Sequence, residues 1–201
     1  MQNIKLNIVN VRKFPIYAHP TDAGNQHHSA VYHGEIMSDQ YSHGEFVGYG
    51  TSCDAGHITA PDPEAEGALH ATRHAMRMAG WSPEQVDYIN AHGTSTGLND
   101  KMESLMVRKV FGERAKDVVV TSTKSMIGHC LGAAGALETI ASFQAIEQGY
   151  IHPTLNYTTP DPECDITLST GRGVEKKVDR LLVNSFGFGG HNGVLAFQCF
   201  V

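Results

Sequence analysis

The chain has 201 residues, of which 41% are apolar and 18% charged, a composition typical of one ordinary globular domain. Its formal net charge of −6 at pH 7 argues against nucleic acid or an anionic membrane as the main partner. No apolar run approaches the ~18 residues that a membrane span needs, and residues 1–10 lack the apolar stretch of a secretory signal. We expect a protein of the cytoplasm or of an organelle matrix or stroma, not a secreted one.

Cysteine and histidine are the residue types that most directly suggest special chemistry. The four cysteines are scattered without a CxxC pair, which fits a reducing compartment better than a disulfide framework: Cys53, Cys130, Cys164 and Cys199. Of the 12 histidines, the five at positions 19, 27, 28, 33 and 43 match no metal-ligand spacing. His70 and His74 have the i, i+4 spacing of a zinc-protease helix, but Ala71 stands where that chemistry needs a glutamate. We expect no metal site.

The first half of the chain divides near residue 44. Residues 1–44 form an unassigned lead-in with one strand-like piece at 4–11. A strand follows at 45–51, and a helix opens at Pro63 and Glu64, runs to Met78 and stops at Gly80. Ser82 then begins a short helical turn.

The second half alternates strands with helices. A strand at 86–90 precedes a helix that Asn99 caps and Gly112 ends, and a strand at 118–122 precedes a small-residue helix at 132–148. Residues 166–169 and 180–184 are strand-like, and a glycine-rich turn at 187–190 leads to a last strand at 194–200. This order predicts a mixed α/β sheet with helices packed on it and a closing β-hairpin.

Three polar or glycine-rich loops follow three of these strands. They read NAHGTST from residue 90, STKSMIGHCLGAAG from residue 122, and NSFGFGGHN from residue 184. A lone loop histidine is more often simply solvated, and three such loops could be unrelated turns. Because ligand sites of α/β sheets lie at the carboxyl ends of strands, we expect the loops to converge on one site.

The amino-acid sequences of these loops, together with GYGTSCDAGHITAPDPE from residue 48, resemble the C-terminal half of the β-ketoacyl-[acyl-carrier-protein] synthases. These are condensing enzymes of the thiolase-like fold, and the resemblance covers about residues 45–201 but not 1–44. It implies a 3-oxoacyl-[acyl-carrier-protein] synthase of fatty-acid biosynthesis, an acyltransferase that condenses malonyl-ACP with an acyl thioester and releases CO2. It also implies acyl carrier protein as partner, a homodimer for the full-length family, and no cofactor beyond the phosphopantetheine arm that carries the substrates.

The resemblance places the family's two catalytic histidines on His92 and His129, the combination found in chain-elongating members. Decarboxylation leaves an enolate whose oxygen needs hydrogen-bond donors already in place, and two neutral imidazoles supply them. The resemblance also implies that Lys124 supports the pair and forms an ion pair with Glu138. A solvated surface lysine is the alternative.

The remaining site residues are also carried over from the resemblance. Thr59, Thr94 and Thr96 are expected to hydrogen-bond the phosphopantetheine arm. Phe188 is expected to gate the acyl pocket and to lend its backbone N–H to an oxyanion hole, with Phe186 beside it. Plain core packing is the alternative for both phenylalanines.

The family's nucleophilic cysteine lies on a strand-to-helix elbow in the first half of its fold, and none of the four cysteines here has that context. We therefore expect a truncated enzyme that forms no acyl-enzyme alone. The apolar face of helix 132–148 would then lack part of its cover, which predicts instability or self-association. The alternative is a non-catalytic remnant or accessory subunit that binds acyl carrier protein or a complete synthase. Such a protein would be expected to lose the histidines, and both are present.

Overall fold

The fold is built on one mixed sheet, described for residues 44–200 by a computed structural model. The strand predicted at 4–11 and the five N-terminal histidines lie outside the described residues. The strands are β1 (Glu45–Cys53), β2 (Tyr88–Asn90), β3 (Val119–Thr121), β4 (Tyr150–Ile151), β5 (Val174–Glu175), β6 (Arg180–Gly187) and β7 (His191–Gln198). The main sheet has the order β1–β7–β6–β2–β3, and β4 pairs with β5 separately.

The strand directions bring the functional loops to one edge. β2 runs parallel to both β3 and β6, while β6 and β7 form the predicted closing hairpin and β1 pairs antiparallel with β7. The strand predicted at 166–169 is wrong, because this segment makes only an isolated parallel bridge between Leu168 and Val120. It meets the edge strand β3, which is three residues long and offers no longer ladder.

Within residues 44–200, four α-helices accompany the sheet: α1 (Glu66–Ala79), α2 (Gly97–Phe111), α3 (Lys124–Ile127) and α4 (Ala134–Gln148). Short 3-10 turns lie at Pro83–Gln85, Gly112–Lys116, Leu131–Ala133, Pro162–Cys164 and Phe188–Gly190. The predicted glycine stop of α1 is confirmed, because Gly80 has a φ of 73° and its N–H donates to the Arg77 carbonyl at 3.2 Å. The turn begun by Ser82 is also confirmed, with its N–H donating to Gln85 Oε1 at 3.0 Å.

Two predicted helix starts are wrong. Pro63 and Glu64 lie in a turn before α1, because the Asp62 carboxylate accepts the N–H of Glu64 at 3.1 Å and of Glu66 at 2.9 Å. Asn99 is not the cap of α2 but a buried residue inside its first turn, and its amide faces inward toward Glu103 Oε2 at 3.4 Å. Both differences arise from side-chain contacts that spacing alone does not encode.

Helices cover both faces of the sheet, and alternate strand residues point to each. Leu182 and Ile89 face α1 and α2, whereas Leu181 and Tyr88 face the side of α4. Helix α1 lies directly on the backbone of β1, where a Cβ on Gly50 would stand 1.8 Å from the Ala71 carbonyl oxygen. The glycines of β1 therefore allow a helix–strand approach that a side chain would block.

The outer face of α4 is only partly covered by the described residues, as the sequence predicted. Ala136 and Leu137 are exposed along it, as is Ala133 in the turn just before it, whereas Phe143 packs edge-on against Phe197 with ring centroids 5.1 Å apart. Leu131, just before the helix, is 78% exposed. No helix between residues 44 and 200 has the length and apolar character needed to cross a membrane.

Candidate active site

The three loops converge, as predicted, on a cavity of about 1210 Å³. It lies beyond the carboxyl ends of the parallel strands β2 and β6, where Asn90 and Val183 are register partners. All but two of the predicted site residues line it: Thr59, His92, Thr94, Thr96, His129, Phe186 and Phe188. The other two, Lys124 and Glu138, are buried behind it.

The two imidazoles form the most specific feature of the cavity. The ring centroids of His92 and His129 are 5.6 Å apart, and the planes meet at 84°. The Leu131 N–H donates to Nδ1 of His129 at 3.1 Å, so the neutral ring carries its proton on Nε2. His129 therefore has an N–H available as a donor to a ligand.

His92 is held as a neutral imidazole. It is 8% exposed, and its ring centroid lies 6.0 Å from that of Phe186. Burial, followed by the charge of Lys124 and the proximity of His129, lowers the pKa of His92 to about 3. At neutral pH this ring can donate a hydrogen bond without carrying a positive charge.

Lys124 and Glu138 form a buried ion pair between α3 and α4. Their side chains are 5% and 1% exposed, and Lys124 Nζ contacts Glu138 Oε1. The alternative of a solvated surface lysine is therefore wrong. Because the ammonium group lies behind the cavity rather than in its lining, it acts on the site through its electric field.

Glu103 is a site residue that sequence reasoning missed. Its carboxylate accepts the N–H groups of His92 and Gly93, both at 2.9 Å, and the Asn184 amide at 3.0 Å. It is 3% exposed, and burial raises its pKa although the hydrogen bonds oppose that shift. The available signal was its position on the buried stripe of α2 beside Met102 and Met106, where a charged residue needs a partner.

The threonines and Phe188 lie around the cavity. The hydroxyls of Thr94 and Thr96 are 2.9 Å apart, and the Thr59 N–H donates to Nδ1 of His57 at 3.1 Å. The Phe188 side chain is 78% exposed, and the N–H of the following Gly189 donates to the Ile58 carbonyl at 2.7 Å. The turn that carries Phe188 is thus tied to the loop that carries Thr59.

No cysteine of residues 44–200 lines the cavity. Cys53 is exposed at the end of β1, where its thiol contacts the Gly189 carbonyl at 3.4 Å, and Cys130 contacts the carbonyls of its own turn. Within the same residues, no three histidine, cysteine or acidic side chains are grouped as metal ligands.

Comparison with known proteins places this sheet and its cavity in the thiolase-like class and gives the family. Residues 43–158 match the family described as Beta-ketoacyl synthase, C-terminal domain, and the chain belongs to it. Over 154 residues it is 50% identical to 3-oxoacyl-[acyl-carrier-protein] synthase 2 of Coxiella burnetii, and over 156 residues it is 49% identical to the enzyme of that name from Synechocystis. These matches cover 77% and 78% of this chain but only 37% and 38% of those relatives.

Solved structures agree on the fold. The ishigamide ketosynthase/chain length factor aligns with a TM-score of 0.75 at 42% identity, over 79% of this chain and 38% of that one. A β-ketoacyl synthase from Burkholderia phymatum aligns with a TM-score of 0.74 at 36% identity, again over 79% and 38%. The predicted family and thiolase-like α/β fold are confirmed.

Proposed function

We propose that this site is the decarboxylating part of a 3-oxoacyl-[acyl-carrier-protein] synthase of fatty-acid biosynthesis. The observation that carries the proposal is the pair of imidazoles at the cavity wall, whose ring centroids are 5.6 Å apart. A thioester carbonyl between them would accept a hydrogen bond from each ring. Donors already in position stabilise the negative charge that develops on this oxygen during the reaction.

The chemistry of the pair follows from the bonds that change. The bond between the malonyl α-carbon and its carboxylate breaks, CO2 leaves, and the electron pair forms an enolate with its charge on the thioester oxygen. His92 and His129 hold that oxygen. The enolate carbon then attacks the carbonyl carbon of the acyl thioester, the carbon–sulfur bond breaks, and the thiolate leaves.

The low pKa of His92 suits this role. Burial disfavours a charged ring at this position, and a protonated His92 would also be repelled by the positive charge of Lys124. The field of Lys124 supplies positive potential to the enolate without placing an acidic proton in the cavity. The enolate is therefore stabilised by donors that do not readily protonate its carbon.

The substrates would arrive on the phosphopantetheine arm of acyl carrier protein, with no other cofactor. Thr59, Thr94 and Thr96 line the cavity with hydroxyls that can bond the arm's amides, and the exposed Phe188 stands as its gate. One solved relative is described as a type II polyketide synthase acyl-carrier protein in complex with its ketosynthase, which supports this partner. A homodimer would be the assembly of the full-length protein.

The acyl-carrying thiol would come from outside residues 44–200, since none of the four cysteines lines the cavity. The second candidate, a non-catalytic subunit that binds acyl carrier protein, is favoured by the same observation. Incubating the 201-residue chain with an acyl-ACP and measuring the mass of the chain tests whether the thiol lies outside residues 44–200. We expect no covalent acylation, and stoichiometric acylation of one cysteine would refute the external thiol.

Decarboxylation provides the decisive test of the histidine pair. The chain is incubated with malonyl-ACP, and acetyl-ACP is measured by mass spectrometry. We expect His92→Ala and His129→Ala to lower the rate about 10²-fold. Glu175→Ala, at an exposed position outside the cavity lining, serves as the control. Binding of malonyl-ACP without any decarboxylation would favour the non-catalytic subunit, and equal rates in all variants would refute the role of the pair.

A further inference from the structure

The exposed face of α1 carries a stripe of basic residues made of His70, Arg73, His74 and Arg77. These positions recur at three- and four-residue intervals, so they share an arc of about 100° over a length of about 10 Å. His70, Arg73 and Arg77 are exposed and His74 is half-buried. The opposite face of the helix packs on β1 and β7, so the stripe faces away from the sheet.

The stripe has no acidic counterpart within residues 44–200. Neither arginine forms an ion pair with any described carboxylate, and Arg73 makes only a weak contact of 3.4 Å to the Lys109 carbonyl. The nearest acidic residue of the helix, Glu66, is already paired with Lys109 at 3.0 Å. In a chain of net charge −6, Arg73 and Arg77 thus form a local positive region that no carboxylate of residues 44–200 neutralises.

An apolar groove of about 460 Å³ continues from the stripe at the C-terminal end of α1. Arg73 and Arg77 form its rim, and its floor consists of Met76, Trp81, Pro83 and Val110. Trp81 is only 9% exposed, so most of its indole ring is buried beneath the groove. A buried aromatic floor beside unpaired guanidinium groups is the arrangement found in protein-binding hot spots.

We propose that this stripe and groove form the docking surface for an acidic peptide segment of a partner protein, with one apolar side chain inserted in the groove. Carboxylates spaced one helical turn apart on the partner would match the spacing of Arg73 and Arg77. A nucleic acid is disfavoured because its extended charge would meet the net negative charge of the chain. A metal ion is disfavoured because Arg73 lies on the same face as both histidines, whose ring centroids are 6.4 Å apart.

The test uses the full 201-residue chain and a fluorescent helical 16-residue peptide with glutamates at i, i+4 spacing and a central leucine. Its counterpart with lysines in place of the glutamates and a single-stranded 16-nucleotide DNA are the other probes. We expect the acidic peptide to bind and the lysine peptide not to bind. The affinity should fall with added salt, because exposed charges contribute at this surface.

The variant Arg73→Glu/Arg77→Glu should weaken acidic-peptide binding about tenfold or more. The matched control, Lys116→Glu/Arg172→Glu, makes the same charge change at exposed positions outside α1 and should leave binding unchanged. Circular dichroism melts verify that both variants are folded. Equal weakening by both variants, no binding of the acidic peptide at about 1 mM, or tighter binding of the DNA would each overturn the proposal.

Discussion

Glu103 offers the sharpest test of how the site is held together. In Glu103→Gln the side chain keeps its shape, and its carbonyl oxygen can still accept from His92 N–H and the Asn184 amide, which both point at Oε1. The new NH2 group then faces the Gly93 N–H, which pointed at Oε2 from 2.9 Å. A donor thus meets a donor inside the protein.

The cost of this change can be worked from the contacts. A buried donor left without an acceptor costs about 1–3 kcal/mol. Part of this cost is offset because glutamine carries no charge, whereas the buried carboxylate of Glu103 is disfavoured by burial, which raises its pKa. We expect the free energy of unfolding to fall by about 1–2 kcal/mol near neutral pH, measured by urea denaturation.

The same substitution should affect catalysis more than stability. The N–H of His92 loses its anionic anchor, and a small displacement of a catalytic group can lower a rate about 10²-fold. We expect malonyl-ACP decarboxylation to fall by about that factor, while the exposed Glu175→Gln serves as control. A variant within about 0.5 kcal/mol of the parent and fully active would refute the positioning role.

The pH dependence gives a second, independent check on Glu103. Its folded-state pKa is raised, so the folded protein binds the proton more tightly than the unfolded chain does. The resulting stability is present below the unfolded pKa of about 4.3 and is lost as pH rises through the folded value. We therefore expect the stability of the parent relative to Glu103→Gln to be highest below pH about 4.3 and to decrease as pH rises through the folded pKa of Glu103.

Three further predictions concern the surroundings of the site. His92 has a lowered pKa, so its contribution to stability is present above the unfolded pKa of about 6.5 and is lost as pH falls toward 3. In His92→Gln, the free energy of unfolding measured in urea should therefore change less between pH 6.5 and pH 4 than in the parent. An unchanged pH dependence would count against a buried neutral ring. Lys124→Met leaves its carboxylate partner buried and unpaired, and we expect about 3–5 kcal/mol lower stability in urea. Gly50→Ala should cost more than about 3 kcal/mol because its Cβ would lie 1.8 Å from the Ala71 carbonyl, whereas Gly132→Ala, with nothing within 4 Å, should be tolerated.

The sequence predicted those parts of the fold that local residues control. The glycine that ends α1, the cap at Ser82 and the hairpin of β6 and β7 all rest on nearby backbone geometry, and all are present. The start of α1 could not be predicted in the same way, because the Asp62 carboxylate binds the N–H groups that a longer helix would have used. The segment at 166–169 forms only a bridge because its neighbour β3 is three residues long, and the residues of the segment itself do not encode that limit.

In the site, too, features set by nearby residues could be predicted from the sequence, whereas contacts between distant residues could not. His92 and His129 could be predicted as site residues because each lies in a polar loop after a strand and because the sequences of those loops resemble one family. Glu103 was not found, because its shortest hydrogen bonds come from the N–H groups of His92 and Gly93, 11 and 10 residues away, and from the Asn184 amide, 81 residues away. Periodicity marks it as a buried position, but only the folded chain identifies the N–H groups that it accepts.

The groups that position the two histidines and set their protonation therefore lie largely outside the cavity lining. His92 is positioned through a carboxylate on α2, its charge state is controlled by burial and by a lysine behind the wall, and His129 is oriented by the N–H of Leu131. Glu103 and Lys124 lie outside the cavity lining, so no substrate need contact either of them. Activity should consequently be sensitive to buried substitutions on α2, α3 and α4 that leave the cavity lining unchanged, because the donors are useful only when their direction and protonation are fixed in advance.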